Sequence, residues 1–150
     1  MRDISKKVCM ALLILVLSTG CAYLRETVMP AIETRRDLAL ARELSDRGEF
    51  GKAEEEYQSI IKRYHDSPLT GDALYELSLL YISPKNKKKD FRKAYDGFQS
   101  FLERYPQHRK AEISRHFIVV LKKVESVELE MKELKDVLIK LEMMEKELKK

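Results

Sequence analysis

Few side chains in this chain are equipped for chemistry, and the most informative of them is a cysteine. Cys21 follows Leu17, Ser18, Thr19 and Gly20, so a thiol stands directly after small residues. Ahead of it, Arg2, Lys6 and Lys7 face the single acid Asp3, and Val8 to Leu17 is an unbroken apolar run. A basic head, a short apolar middle and a small-residue exit form the pattern of a secretory signal peptide. Ten apolar residues fall short of the ~20 a helix needs to span a bilayer. Residues 1–20 therefore read as a transient export signal. The three histidines are His65, His108 and His116. His65 and His108 fall in turns where solvent-facing side chains are expected, and His116 lies on a helix beside core positions. None stands at a recognised metal-ligand spacing from a cysteine or carboxylate. There is no Gly-rich phosphate loop and no Gly-x-Ser-x-Gly elbow. Glu54-Glu55-Glu56 reads as the solvated face of a helix. The expectation is a protein with no catalytic residues, no metal and no cofactor.

Small residues followed directly by cysteine resemble the lipobox of bacterial lipoproteins, with Ser18 where that family most often has leucine. The resemblance implies cleavage before Cys21, a diacylglycerol in thioether linkage to its sulfur, and an N-acyl chain, with palmitate among the fatty acids. Two or more acyl chains anchor a protein stably, each buried methylene contributing about 0.8 kcal/mol. In Gram-negative lipoproteins Asp after the cysteine favours retention in the inner membrane. Ala22 is not Asp, so the resemblance implies the outer membrane, facing the periplasm. The competing reading is an ordinary signal peptide whose cysteine happens to lie near the cut.

Composition fits an exported helical domain. Three bases and one acid precede Cys21, so the 29 bases and 25 acids of the 150-residue chain become 26 and 24 in the mature form. A charge of about +2 is too balanced to argue for nucleic acid, which calls for a clustered basic face. Cys9 leaves with the signal and Cys21 would be alkylated, so no thiol remains for a disulfide. Absent tryptophan, few Gly and Pro, and abundant Leu, Lys and Glu point to an all-α fold.

The elements follow from periodicity. Residues 21–34 form the lipidated start and a tether. Leu38, Ala41, Leu44 and the nearby Leu40 recur at helical steps, and Gly48 is placed to end that helix in the left-handed conformation. A second helix runs from about Gly51 to Tyr64, with Ala53, Tyr57, Ile60, Ile61 and Tyr64 on its inner stripe, until Ser67-Pro68 breaks it. A third spans Leu69 to Ile82. A lysine-rich insert from Ser83 to Lys89 is read as a solvated loop, and a fourth helix covers Asp90 to Tyr105. Shifting the sequence by 41 lays Phe50–Tyr64 on Phe91–Tyr105 with seven of fifteen positions identical. Each copy ends Pro-x4-Ala, at Pro68…Ala73 and Pro106…Ala111.

This duplication resembles the tetratricopeptide repeat, a helix-turn-helix unit of about 34 residues. A small residue sits in the first helix, Ala41 or Ser78, and another starts the second, Ala53 or Ala94; an aromatic follows, Tyr57 or Phe98. The resemblance implies that these residues, with Leu44, Tyr64, Tyr81 and Tyr105, pack paired helices over residues 35–115. Two units fall short of the three usually needed for a continuous core. Ile113, Phe117, Val120 and Leu121 on the next helix are expected to close the stack. The alternative is a plain helical bundle with a duplicated hairpin.

From residue 116 to 150 nothing breaks that last helix. Val120, Val124, Val127, Met131, Leu134, Leu138, Leu141 and, after Glu145, Leu148 recur by alternating steps of three and four. That is a coiled-coil heptad pattern, and its seam calls for a second copy, the chain's own repeats or another protein. Lipobox and repeats together resemble the outer-membrane assembly lipoproteins of the BamD type. The resemblance implies a membrane-anchored periplasmic adaptor or scaffold in an envelope complex. Its partners would be other envelope proteins or peptides, with homo-oligomer formation open and no nucleic acid. The alternatives are an accessory lipoprotein modulating an envelope-sensing histidine kinase, or a cell-wall or division scaffold.

Overall fold

A computed structural model describes residues 29–64, 67 and 69–149. The export signal, Cys21, His65 and Pro68 lie outside the described residues. The described chain is all-helical, in the order α1 (Met29–Asp46), α2 (Phe50–Arg63), α3 (Thr70–Ile82), α4 (Phe91–Arg104) and α5 (Ala111–Leu148). It gathers into two compact units, one reaching as far as Ala73 and the other running from Leu74, so the boundary falls inside α3.

In the first unit α1 and α2 form an antiparallel hairpin. Leu38, Ala41 and Leu44 are buried along α1, with Thr34 one turn earlier. Leu40, which the sequence pattern groups with them, is 43% exposed. Two residues of helix turn a side chain by about 200°, which carries it to the far side. Gly48 ends α1 with φ +78°. Its N–H donates to Ser45 O (3.0 Å) while Glu49 N–H reaches back to Leu44 O (2.9 Å). That bond pair is a Schellman cap, and its left-handed residue favours glycine. Ala53, Tyr57 and Ile60 of α2 are buried opposite. Ile61 and Tyr64, expected on the same stripe, are half-buried. The Tyr64 hydroxyl donates to Asp37 Oδ2 at 2.9 Å, and Arg63 reaches the same oxygen at 3.5 Å. Asp37 is buried, so these two partners from the end of α2 satisfy a carboxylate that would otherwise be costly.

α3 is apolar nearly all round, and its faces are correspondingly buried: Ala73, Leu74, Tyr75, Leu77, Leu80 and Tyr81, with Ser78 at zero exposure. A helix hydrophobic on every side belongs in an interior. The polar Ser78 is tolerated because its hydroxyl donates to Leu74 O at 2.8 Å.

The insert after α3 is more ordered than a plain solvated loop. Lys85, Lys87, Lys88 and Lys89 are exposed as expected, but Asn86 between them is buried. Its amide donates to Leu80 O (3.0 Å) and its side-chain oxygen accepts from Lys88 N–H (2.9 Å). Asp90 N–H then bonds Tyr81 O at 3.0 Å, closing the excursion. An asparagine that supplies both donor and acceptor folds a turn around itself. α4 starts at once, with Asp90 as N-cap accepting from Lys93 N–H at 2.9 Å.

Candidate interaction surface

The second unit is built on an aromatic cluster. Small residues let α3 and α4 approach closely: a Cβ built on Gly97 would collide with the Ser78 hydroxyl. Just past that contact Phe98 and Phe101 are fully buried. Tyr75 meets Phe98 edge-on at 5.7 Å and lies 5.8 Å from Phe101. Phe117 of α5 then stacks on Phe98 at 4.9 Å with rings 7° from parallel. Ala111, Ser114 and Leu121 are buried on the same side of α5. Lys110 at the start of α5 sits 4.4 Å over the Tyr75 ring and 3.4 Å from Glu76, a half-buried ion pair.

This register corrects one expectation. Phe117 and Leu121 do cover the second hairpin, but Ile113 and Val120 do not; Val120 is 58% exposed. The face that packs holds Ala111, Ser114, Phe117 and Leu121, because α5 turns its small residues toward α4 at the near end. A second correction concerns His108. It is half-buried, edge-on to Phe101 at 5.2 Å, with Nδ1 accepting from Lys110 N–H at 3.2 Å. It therefore serves the turn before α5 instead of facing solvent. His116 is exposed.

Further along, α5 meets α4 through the ion pair Arg92–Glu125 at 2.7 Å. Beside it lies a shallow hollow of about 90 Å³ between Phe91, Arg92, Tyr95, Leu121, Glu125 and Glu128. That is well under the ~300 Å³ at which small-molecule pockets begin. Beyond Glu125 the helix continues with Val127, Met131, Leu134, Leu138, Leu141 and Leu148 all exposed, Met131 at 65% and Leu134 at 64%. Val124, at the edge of the packed part, is half-buried. Leu129, Val137, Ile139, Met143 and Met144 add further exposed apolar surface. Soluble proteins rarely leave so much contiguous apolar surface bare, and where they do it marks a binding face.

Ala41, Leu44, Ala53, Tyr57, Ser78, Tyr81, Ala94 and Phe98 are buried. Tyr64 and Tyr105 are half-buried helix ends. Burial, and then the bond to Asp37, pushes the Tyr64 phenol above its ordinary pKa. Sequence reasoning missed Gly97, Asn86 and Phe101. Gly97 had a signal, a lone glycine inside a helical pattern, which costs about 1 kcal/mol and needs a packing reason. Among the described residues no group of three or more His, Cys, Asp or Glu could hold a metal, and no helix is long and apolar enough to cross a membrane. No protein-family model matches the chain, and no curated protein matches it either.

Proposed function

We propose that this protein is a lipid-anchored envelope adaptor, tethered through Cys21 to the outer membrane on its periplasmic side, that works by holding other proteins and not by catalysis. The observation that carries the docking role is the bare apolar seam on α5, Val127 to Leu148, set among Lys and Glu. A helix of this pattern gains stability by covering its seam with another helix. The unit that α4 and α5 build is the base from which the seam is presented. The anchor rests on the sequence around Cys21, and the repeats on the duplication of Phe50–Tyr64 in Phe91–Tyr105.

Two measurements test the reading. Metabolic labelling with palmitate should mark the wild-type chain and leave Cys21→Ala unlabelled. An unlabelled wild type rejects the anchor. Truncation after Glu125 should keep the helical signal of the hairpins and abolish crosslinks to envelope partners in the native membrane. Partner crosslinks that persist without the seam reject α5 as the docking element.

A further inference from the structure

The seam of α5 has a geometry that selects its occupant. With about 100° of turn per residue, the residues facing α4 (Ala111, Ser114, Phe117, Leu121 and Glu125) lie about a third of a turn from Val120, Val127 and Met131. The face α5 uses to pack within its unit is thus separate from the face it leaves bare. The α4–α5 hairpin does not occupy it.

We propose that a second copy of this chain covers that face as a parallel, in-register two-stranded coiled coil. The dimer rests on the docking role of α5 and not on the lipid. In heptad terms Val124, Met131 and Leu138 are a positions, and Val127, Leu134 and Leu141 are d positions. Val124 at a, with Leu134 and Leu141 at d, matches the pattern that favours two strands over three or four. Met131 and Leu138 at a are not β-branched and Val127 at d is, so the apolar residues alone do not fix the pairing. The flanks decide it. In a parallel pair each g residue meets the e residue five positions on in the other strand. Lys123 therefore meets Glu128 of the second copy, and Glu130 meets Lys135. All four side chains are exposed. Each pair occurs twice by symmetry, so the dimer gains four ion pairs. The next two g positions are Val137 and Met144, which bring no like charges together.

Antiparallel pairing brings e against e and g against g. Centred on Asp136, it sets Lys135 against Lys135 and Glu128 against Glu142. A slide toward the base of the helix matches Glu128 with Lys135, which makes two ion pairs by symmetry. That slide leaves Lys123 beside Met144 and Glu130 beside Val137, sets Glu145 against Val120, and lays the free end of each helix over the turn at Phe117 of the other. The parallel register makes four ion pairs against the two of that slide and keeps both tips clear of the α4–α5 packing. A slide toward the tip also makes four, Lys135 with Glu142 and Glu128 with Lys149, each twice. That slide sets Glu145 against Leu134 twice and leaves Val124 and Val127 beyond the overlap, so the parallel register covers more of the seam. Its one discord is Glu145, an a position facing its own copy. In the single chain Lys149 already pairs with Glu145, which offsets that repulsion and marks where the seam loosens.

The test uses the purified full-length chain in mild detergent. Sedimentation across the micromolar range should give the mass of two chains. Oxidation of Val127→Cys should join the two introduced thiols in a disulfide between copies, located by peptide mapping. Asp136→Cys, on the outer face, should not self-link. Glu130→Lys and Lys135→Glu should each raise the dissociation constant several-fold, and the double exchange should restore most of it. A monomer throughout, a trimer or larger, or a dimer lacking the link at position 127 overturns the proposal, the last in favour of the antiparallel slide. A monomer whose α5 still crosslinks to a different envelope protein overturns the dimer while leaving the docking role standing.

Discussion

α2 and α4 are two copies of one stretch of sequence, and they solve the same structural problems with different atoms. Both begin one residue after an acid. Asp90 caps α4 through its side chain, accepting from Lys93 N–H. Glu49, one methylene longer, makes no cap bond to α2 and instead binds Lys52 at 2.6 Å. That hydrogen bond from Lys52 holds the Glu49 carboxyl below the usual carboxylate range. Lys93, the counterpart of Lys52, lies 5.1 Å over the Tyr81 ring. At the other end the copies converge. Arg63 stacks over Tyr64 at 5.3 Å and Arg104 over Tyr105 at 5.4 Å. Tyr64 and Tyr105 N–H close the last turn on Ile60 and Phe101. The following turns repeat the same bonds, Ser67 to Tyr64 and Thr70 to Ser67, His108 to Tyr105 and Ala111 to His108. The period of 41 is therefore a property of the backbone as well as of residue identity. Two of the differences bear on packing. Glu56, expected on a solvated face, is half-buried and 3.8 Å from Arg63, because it lies one residue from the buried Tyr57. Where the first copy has Glu56 and Ile60, the second has Gly97 and Phe101, which exchange an ion pair for a close helix contact and a larger ring.

Substitutions should break this contrast to different degrees. Phe98→Ala removes the ring on which Phe117 and Tyr75 pack and should cost about 3–5 kcal/mol in denaturant unfolding followed by circular dichroism. A loss under about 1 kcal/mol, the ordinary effect of a substitution, would show that the stack does not hold α5. Gly97→Ala should cost roughly 1–3 kcal/mol by overpacking against Ser78. Its counterpart Glu56→Ala removes only a 3.8 Å ion pair with Arg63 and should cost under about 1 kcal/mol, and equal effects would erase the distinction between the copies. Asp90→Ala should cost about 1 kcal/mol, with Glu49→Ala costing less because no cap bond is lost.

Tyrosine supplies the smallest and most selective probe. The Tyr64 pKa is raised in the folded chain, so the stability its neutral hydroxyl contributes is complete below the ordinary phenol value of about 10 and is lost as pH rises through the raised value. Wild type should lose more stability than Tyr64→Phe between about pH 9 and pH 11. Tyr105→Phe, whose hydroxyl does not bind Asp37, should leave that alkaline loss in place.

Much of this was legible in the residues. Helix ends fell within a residue or two because their signals are local: Gly48 and Asp90 act on backbone groups a turn away or less. The duplication was legible because packing needs small residues and aromatics at fixed offsets. Leu40, Ile113 and Val120 were misplaced because apolarity reveals that a residue can be buried, not which side of its helix finds a neighbour. Asn86 was hidden among lysines, since its two bonds reach backbone groups that composition does not reveal. The seam on α5 was legible as a repeat of sevens. Whether α4 covered it depended on the rotation of α5 against α4, and that was set by Ala111 and Ser114.

α5 is also a lever. No glycine, proline or change of helix type separates the packed turn at Phe117 from the far turn at Leu148. Roughly 30 residues of unbroken helix at 1.5 Å each make a stiff arm of about 45 Å. A grip applied at its tip is conveyed as torque to the Phe98–Phe117 ring contact instead of being absorbed by a hinge. The hairpin at its base would then register a pull as well as a touch.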